Sequence, residues 1–290
     1  MDKKYDLQTL ESNLRKAPYL CNTIGYDNII KEAQSNPGSI AIYFGNPQFE
    51  EYQHYLESVF QTIKHYNIEY RKKKFKKDLL SPDNDNSVLT EIEVAAKLAP
   101  YFKITPEYPI DKLQPKSKNL DLLIEDESNG ERVLIEIATK RSKFTGEFTE
   151  EAVVTIVGDI IKNSCNNKME EQLGYIQSKN IDLKCPLILL FKYEGIYYPN
   201  FKMFESDSLT GLYGDIQITR DHKSEMVKYS RANNGFYDAE NIDFISMVGY
   251  YQLGFDDKYI FDGKLIAPKY PPKYKMSTEF LQKFANTLFS

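Results

Sequence analysis

Two acidic residues stand where the surrounding pattern calls for apolar ones: Asp121 in Asn119-Leu-Asp-Leu-Leu-Ile124 and Glu136 in Val133-Leu-Ile-Glu-Ile137. Both runs have the length and aliphatic content of β-strands. Between them, Asn129-Gly130 predicts a two-residue type I′ hairpin turn, because both central positions need a positive φ that Asn and Gly tolerate. Pairing across that turn brings Asp121 and Glu136 near one another. By the two-residue period of a strand, Glu136, Ala138 and Lys140 share one face, and Ile135, Ile137 and Thr139 the other. Two carboxylates and an ammonium on neighbouring strands compose a candidate metal site.

A third acid comes from the element before the hairpin. Thr90-Glu-Ile-Glu-Val-Ala-Ala-Lys-Leu-Ala-Pro100 predicts a short helix, with Thr90 and Glu93 at the spacing of a capping box and Pro100 closing the pattern. Ile92, Val94, Ala95, Ala96, Leu98 and Ala99 make a broad apolar face, with Glu93 and Lys97 opposite. Glu91 falls within the apolar face. A carboxylate there must be paired, hydrogen-bonded, protonated or bound to a metal, unless the helix end frays and lets it reach water.

The elements around these residues read as follows. Residues 1–80 are expected to be mainly helical, with a break at Ser35-Asn-Pro-Gly38 and a short run, Ile40–Phe44, that fits a strand or a buried turn of helix. Apolar positions Tyr52, Tyr55, Leu56, Val59, Phe60 and Ile63 predict one long helix from Gln48 to about Leu80. It ends in Arg71, Lys72, Lys73, Lys74, Phe75, Lys76 and Lys77, six cations in seven residues. Such a segment neutralises phosphates, and it reads equally well as a solvated helix end whose cations offset the helix dipole. Ser81–Ser87 is a polar hinge. Beyond the hairpin, Glu151 to about Ser178 predicts a helix, interrupted at Gly158 or at Asn163–Asn167, and Cys185–Phe191 a buried strand. Tyr259–Ile266 predicts a second hairpin with an Asp262-Gly263 turn, and Thr278 opens a closing helix. Of the 22 tyrosines, half fall between Tyr193 and Tyr274, where they could stack on bases or line the edge of the core.

Helix, aspartate strand, glutamate strand, helix and buried strand, in that order, resemble the PD-(D/E)XK nuclease superfamily. Glu91-x-x-Val94-Ala95-x-x-Leu98 looks like the family's helix, Asn119-Leu-Asp121 like its aspartate strand, and Leu134-Ile-Glu-Ile137 like its glutamate strand. The resemblance covers residues 87–192. It implies an α/β, restriction-endonuclease-like core with a mixed central sheet flanked by helices. It also implies Mg²⁺, or Mn²⁺, held by Asp121 and Glu136, with the Ile137 carbonyl as a third ligand and Glu91 binding a second metal or orienting a water. The family's lysine stands two residues after the glutamate, and here that position is Ala138. Three readings stay open: Lys140, about 13 Å of strand beyond Glu136; Lys162 or Lys168 on the next helix; or no lysine and lost activity.

The expected organisation is a helical N-terminal region over 1–86, a nuclease-like α/β core over 87–200 and a mixed C-terminal extension over 201–290. The expected function is a divalent-metal-dependent nuclease, a DNA endonuclease of restriction or defence type, acting alone or as a homodimer. The alternative is a catalytically silent nuclease-like domain that binds nucleic acid, DNA before RNA, or a protein. A net charge of −5 argues against a chain wholly committed to electrostatic nucleic-acid binding, but not against local positive charge. No apolar run of membrane-spanning length or signal segment is present, which implies a cytoplasmic protein. Cys21, Cys165 and Cys185 have no paired spacing, so neither a disulfide framework nor structural zinc is indicated. The phosphate-loop, dinucleotide-turn and nucleophile-elbow glycine motifs are absent. His54 and His65 lie too far apart on one helix to share a metal, and His222 is a lone histidine in a polar segment.

Overall fold

A computed structural model describes residues 5–70, 72–110, 119–141, 161–194, 208–220, 227–256 and 258–290. The N-terminal part is helical, as expected: α1 (Leu7–Leu14), α2 (Pro18–Ile24), α3 (Tyr26–Ser35), α4 (Ser39–Phe44), α5 (Glu50–His65) and α6 (Lys72–Leu80). The single helix expected over 48–80 is two. Asn67 takes a left-handed conformation, φ 51°, and the Ile68 N–H bonds back to the Ile63 carbonyl at 3.0 Å, while Asn67 N–H bonds to Lys64 at 3.2 Å. That is a Schellman ending, which stops a helix with its last carbonyls satisfied and an apolar pair, Ile63 and Ile68, closed over it.

Next comes α7 (Asp85–Leu98), which starts five residues before the expected capping box. Thr90 is therefore inside the helix, and its hydroxyl donates to the Asn86 carbonyl at 2.8 Å instead of capping. No side chain caps α7 at Asn84; its first residue, buried Asp85, accepts from the Ser39 N–H at the first turn of α4, which pins α4 to α7.

The strands are β1 (Lys103–Pro109), β2 (Asn119–Asp126), β3 (Glu131–Arg141) and β4 (Leu187–Glu194), then a separate ribbon of β5 (Ile216–Arg220) and β6 (Val227–Arg231), then β7 (Ile245–Asp256) and β8 (Lys258–Ile266). Six of them form one mixed sheet in the order β1-β2-β3-β4-β7-β8, with β3-β4 and β4-β7 parallel and the other pairs antiparallel. The sheet thus draws on residues 245–266, well past the stretch 87–200. Between β3 and β4 the chain is helical over 161–178 (α8), with a π-helical turn at Met169–Leu173. The expected break at Asn163–Asn167 does not occur, and Gly158 lies outside the described residues. A short helix over 208–213 is α9, and α10 (Thr278–Leu288) closes the chain as expected.

Strand alternation sorts the core into two layers. Val133, Ile135 and Ile137 of β3 face α7 and the N-terminal helices, together with Ile188 and Leu190 of β4. Leu134 and Ala138, with Leu187, Leu189 and Phe191, face α8. The architecture is α/β, with a mixed six-stranded sheet between helical layers.

Both expected turns differ. The β2–β3 connection is a four-residue loop, Glu127–Gly130, not a two-residue turn: Asp126 pairs with Glu131, and Gly130 N–H bonds to the Asp126 carbonyl at 2.7 Å. The Asp126 side chain decides this by accepting from the Ser128 N–H (3.0 Å) and Oγ (2.6 Å). Asp262-Gly263 is not a turn at all but lies inside β8. A Cβ on Gly263 would fall 2.2 Å from the Tyr250 carbonyl oxygen and 2.6 Å from Tyr251 Cβ, so the glycine is there for close approach of neighbouring strands. Among the described residues, no helix is long and apolar enough to cross a membrane.

Candidate active site

The pairing of β2 with β3 ends at Leu122 opposite Ile135, one step short of Asp121 and Glu136. There the strands part, and the Asp121 carboxylate takes over from the backbone ladder: its Oδ2 accepts the Ile137 N–H at 2.6 Å. Glu136 lies on the α8 face between Leu134 and Ala138, which matches the alternation expected from the sequence. It is only 2% exposed. Its Oε1 meets the Lys168 ammonium of α8 at 2.6 Å, and its Oε2 has no hydrogen-bond partner among the described residues.

Glu91, half-buried on α7, completes the cluster. Burial pushes its pKa well above the usual carboxylate range, and the charges of Asp121 and Glu136 push it the same way. For Glu136, burial and the charge of Asp121 raise the pKa to about 8 against the opposing pull of Lys168. Like charges brought together out of water resist ionising, and an added cation is what reverses that preference. The Thr90 and Thr139 hydroxyls, 2.6 Å apart, hold α7 to β3 beside this cluster.

Of the expected site residues, the structure brings Asp121, Glu136 and Glu91 together. Of the lysine readings, it sets Lys168 on Glu136, whereas the side chain of Lys140 lies outside the described residues; its backbone pairs with Tyr193 of β4. Ile137 contributes its N–H to Asp121. In the basic segment, Arg71 and the side chains of Lys72, Lys73 and Lys74 lie outside the described residues. Phe75 and Leu79 anchor α6 in the core, with Lys76 and Lys77 on its outer side.

Glu93 corrects the sequence reading. Expected on the solvent side of the helix, it is 1% exposed and bonded to Lys192 of β4 at 2.6 Å and to the Tyr52 hydroxyl at 2.8 Å. Its acidic character gave no sign of a partner almost a hundred residues away. Sequence reasoning also missed Glu107 and Tyr70, whose charges or hydroxyl bear on the same cluster. The only local signal was an acid between two prolines in Pro106-Glu-Tyr-Pro109.

The donor set suits a hard cation in kind: carboxylate oxygens, one of them buried and without a partner. As the side chains stand, no group of three His, Cys, Asp or Glu residues among the described ones is arranged to hold a metal ion. Lys168 occupies one oxygen of Glu136 and the Ile137 N–H one oxygen of Asp121. In comparisons with family models, curated proteins and solved structures, none matched the chain.

Proposed function

We propose that the protein is a divalent-cation-dependent nuclease, a DNA endonuclease of defence type, on a restriction-endonuclease-like core. The observation that carries this reading is the state of Glu136: buried, with one oxygen on an ammonium, the other without a partner, and Asp121 beside it. The succession of α7, the β2–β3 hairpin, α8 and parallel β4 supports the core assignment.

Asp121 and Glu136, with Glu91, would hold Mg²⁺ or Mn²⁺. When bound, such a cation lowers the pKa of water and neutralises charge building on a phosphoryl group. The chain's own groups do the rest. Lys168, on Glu136, would supply the cation missing at Ala138 and orient an attacking water. As the water oxygen bonds to phosphorus and the bridging P–O bond breaks, the water sheds a proton to solvent and the departing oxygen takes one up; Glu91 would accept a hydrogen bond from that water and orient it. In the sequence the basic run Arg71–Lys77 follows Tyr70, whose hydroxyl feels the charges of the acids, and its cations would neutralise flanking phosphates.

The test is cleavage of plasmid, single-stranded DNA and RNA with Mg²⁺ or Mn²⁺. Asp121→Ala and Glu136→Ala abolish cutting, and Lys168→Met lowers it by about 10²–10⁴-fold, whereas Lys140→Met changes it far less. Cutting that ignores both acid substitutions sinks the proposal. Binding of nucleic acid without any cutting favours the silent-domain alternative, for which Ala138 is the sequence sign.

A further inference from the structure

Strand β1 brings an acid to this site that the hairpin alone does not reveal. Pro106 lies opposite Leu122 and Tyr108 opposite Leu120, so the register sets Glu107 level with Asp121, on the side away from Glu136. Glu107, Asp121 and Glu136 therefore stand in a row across three adjacent strands. Glu107 also has a left-handed backbone, φ 51°, which is rare for a side-chain-bearing residue inside a strand. Its charge bears on Glu91 and on Tyr70, the same groups that feel the charge of Asp121.

A row of acids is not by itself a site, and a second observation points to a ligand. Tyr70 is 7% exposed, with its ring stacked on Phe75 at 4.6 Å between centroids. Its hydroxyl has no hydrogen-bond partner among the described residues, although it lies within the fields of Glu91, Asp121 and Glu107. A buried hydroxyl is costly without a partner. Here the unsatisfied hydroxyl lies near three of the acids, and Glu136 of the same cluster also keeps a buried oxygen without a partner among the described residues.

We propose that Glu107 is a further cation ligand of this site, a carboxylate delivered from the edge of the sheet and additional to Asp121, Glu136 and Glu91. It rests on the reading above only in requiring that the site take a divalent cation. The left-handed backbone is part of the assignment, because this break in the regular strand falls on the residue level with Asp121.

Calorimetric titration of the full chain with Mn²⁺, without nucleic acid, tests this. The unsubstituted protein binds, Asp121→Asn abolishes binding, and Glu107→Gln weakens it by at least about tenfold. Glu127→Gln, an exposed acid in the hairpin loop, leaves affinity unchanged and controls for bulk charge. Glu107→Gly, which accepts the positive φ without strain, folds and shows the same loss as Glu107→Gln. If the unsubstituted protein binds no Mn²⁺, the cation reading itself falls and this inference with it. If it binds in an Asp121-dependent way while Glu107→Gln has no effect, or no more than Glu127→Gln, the Glu107 inference alone is overturned.

Discussion

Glu93 and Lys192 are 1% and 2% exposed and meet at 2.6 Å between α7 and β4. Removing two charges from water costs several kcal/mol per ion, and their attraction offsets this only with good geometry and satisfied lone pairs. Both conditions are met, since the Tyr52 hydroxyl takes the second oxygen of Glu93 at 2.8 Å. Breaking the pair should therefore cost more than its net worth. Lys192→Met leaves a buried, uncompensated carboxylate and is expected to destabilise by about 3–5 kcal/mol. The double variant Glu93→Leu with Lys192→Met should recover most of that loss. Urea unfolding measures both, and a double variant no better than Lys192→Met would refute the argument. Glu93 stands two residues from Glu91 on α7, about 200° around the helix, so the pair fixes the side of the helix opposite Glu91. Sequence reading failed at Glu93 for a plain reason: a helical wheel shows which way a residue points, not what stands there. The choice between Lys140 and Lys168 was equally closed to it, because an ammonium from α8 reaches Glu136 only through tertiary packing.

At the scale of elements, the hairpin was legible and its turn was not. Alternation along β3 correctly put Glu136 and Ala138 on one face and Ile135 and Ile137 on the other. The Asn-Gly signal was outcompeted by Asp126, whose carboxylate gathers Ser128 and, from the far end of the chain, Lys283 of α10 at 2.7 Å. The same hairpin holds α10 a second time, where Glu131 accepts from the Ser277 N–H. One helix end was lost for a similar reason, at Asn67, while the end near Ser178 was read correctly: Asn67 and Asn180 both end helices in left-handed conformations, with Ile68 and Ile181 bonding back to Ile63 and Ile176. An Asn followed by Ile was the available sign. Asp126→Ala should cost about 1–2 kcal/mol, since it removes a turn acceptor and the partner of Lys283. The hydrogen bonds from Lys283 and Ser128 hold the Asp126 pKa down at about 2, against 3.8 for the free side chain. A depressed folded-state pKa contributes stability that is present above pH 3.8 and lost as pH falls toward 2. The deficit of Asp126→Ala, measured by denaturant unfolding, should therefore shrink across that window and vanish below it.

For the whole molecule, the carboxylate cluster carries the opposite sign. Glu136 is raised from 4.5 to about 8, so the folded chain holds its proton more tightly than the unfolded one. The Glu136 contribution to the cation-free protein is fully present below pH 4.5 and is lost as pH rises toward 8, so stability should fall across that window, and Glu136→Gln should flatten the curve there. Saturating Mn²⁺ should reverse the loss, adding about 2.7 kcal/mol at a hundredfold excess over its Kd, and more at pH 8 than at pH 5, where protons compete. Unfolding curves with Mn²⁺ and with a chelator decide this; stability that rises with pH in chelator would sink it. The α/β class and the mixed sheet were readable because strand and helix periods differ. The addition of β7 and β8 was not, since parallel pairing of β4 with β7 is a long-range event that leaves no local mark.

The left-handed Glu107 has one more effect, on what the molecule avoids. As an outer strand, β1 presents its backbone beyond the sheet, where a second chain could add a strand and begin an aggregate. Pro106 and Pro109 withhold N–H donors on either side of Glu107, and the reversed φ between them breaks the even row of groups an incoming strand must match. The residue proposed as a cation ligand also blunts the rim, which makes this edge a poor template for a second copy of the chain.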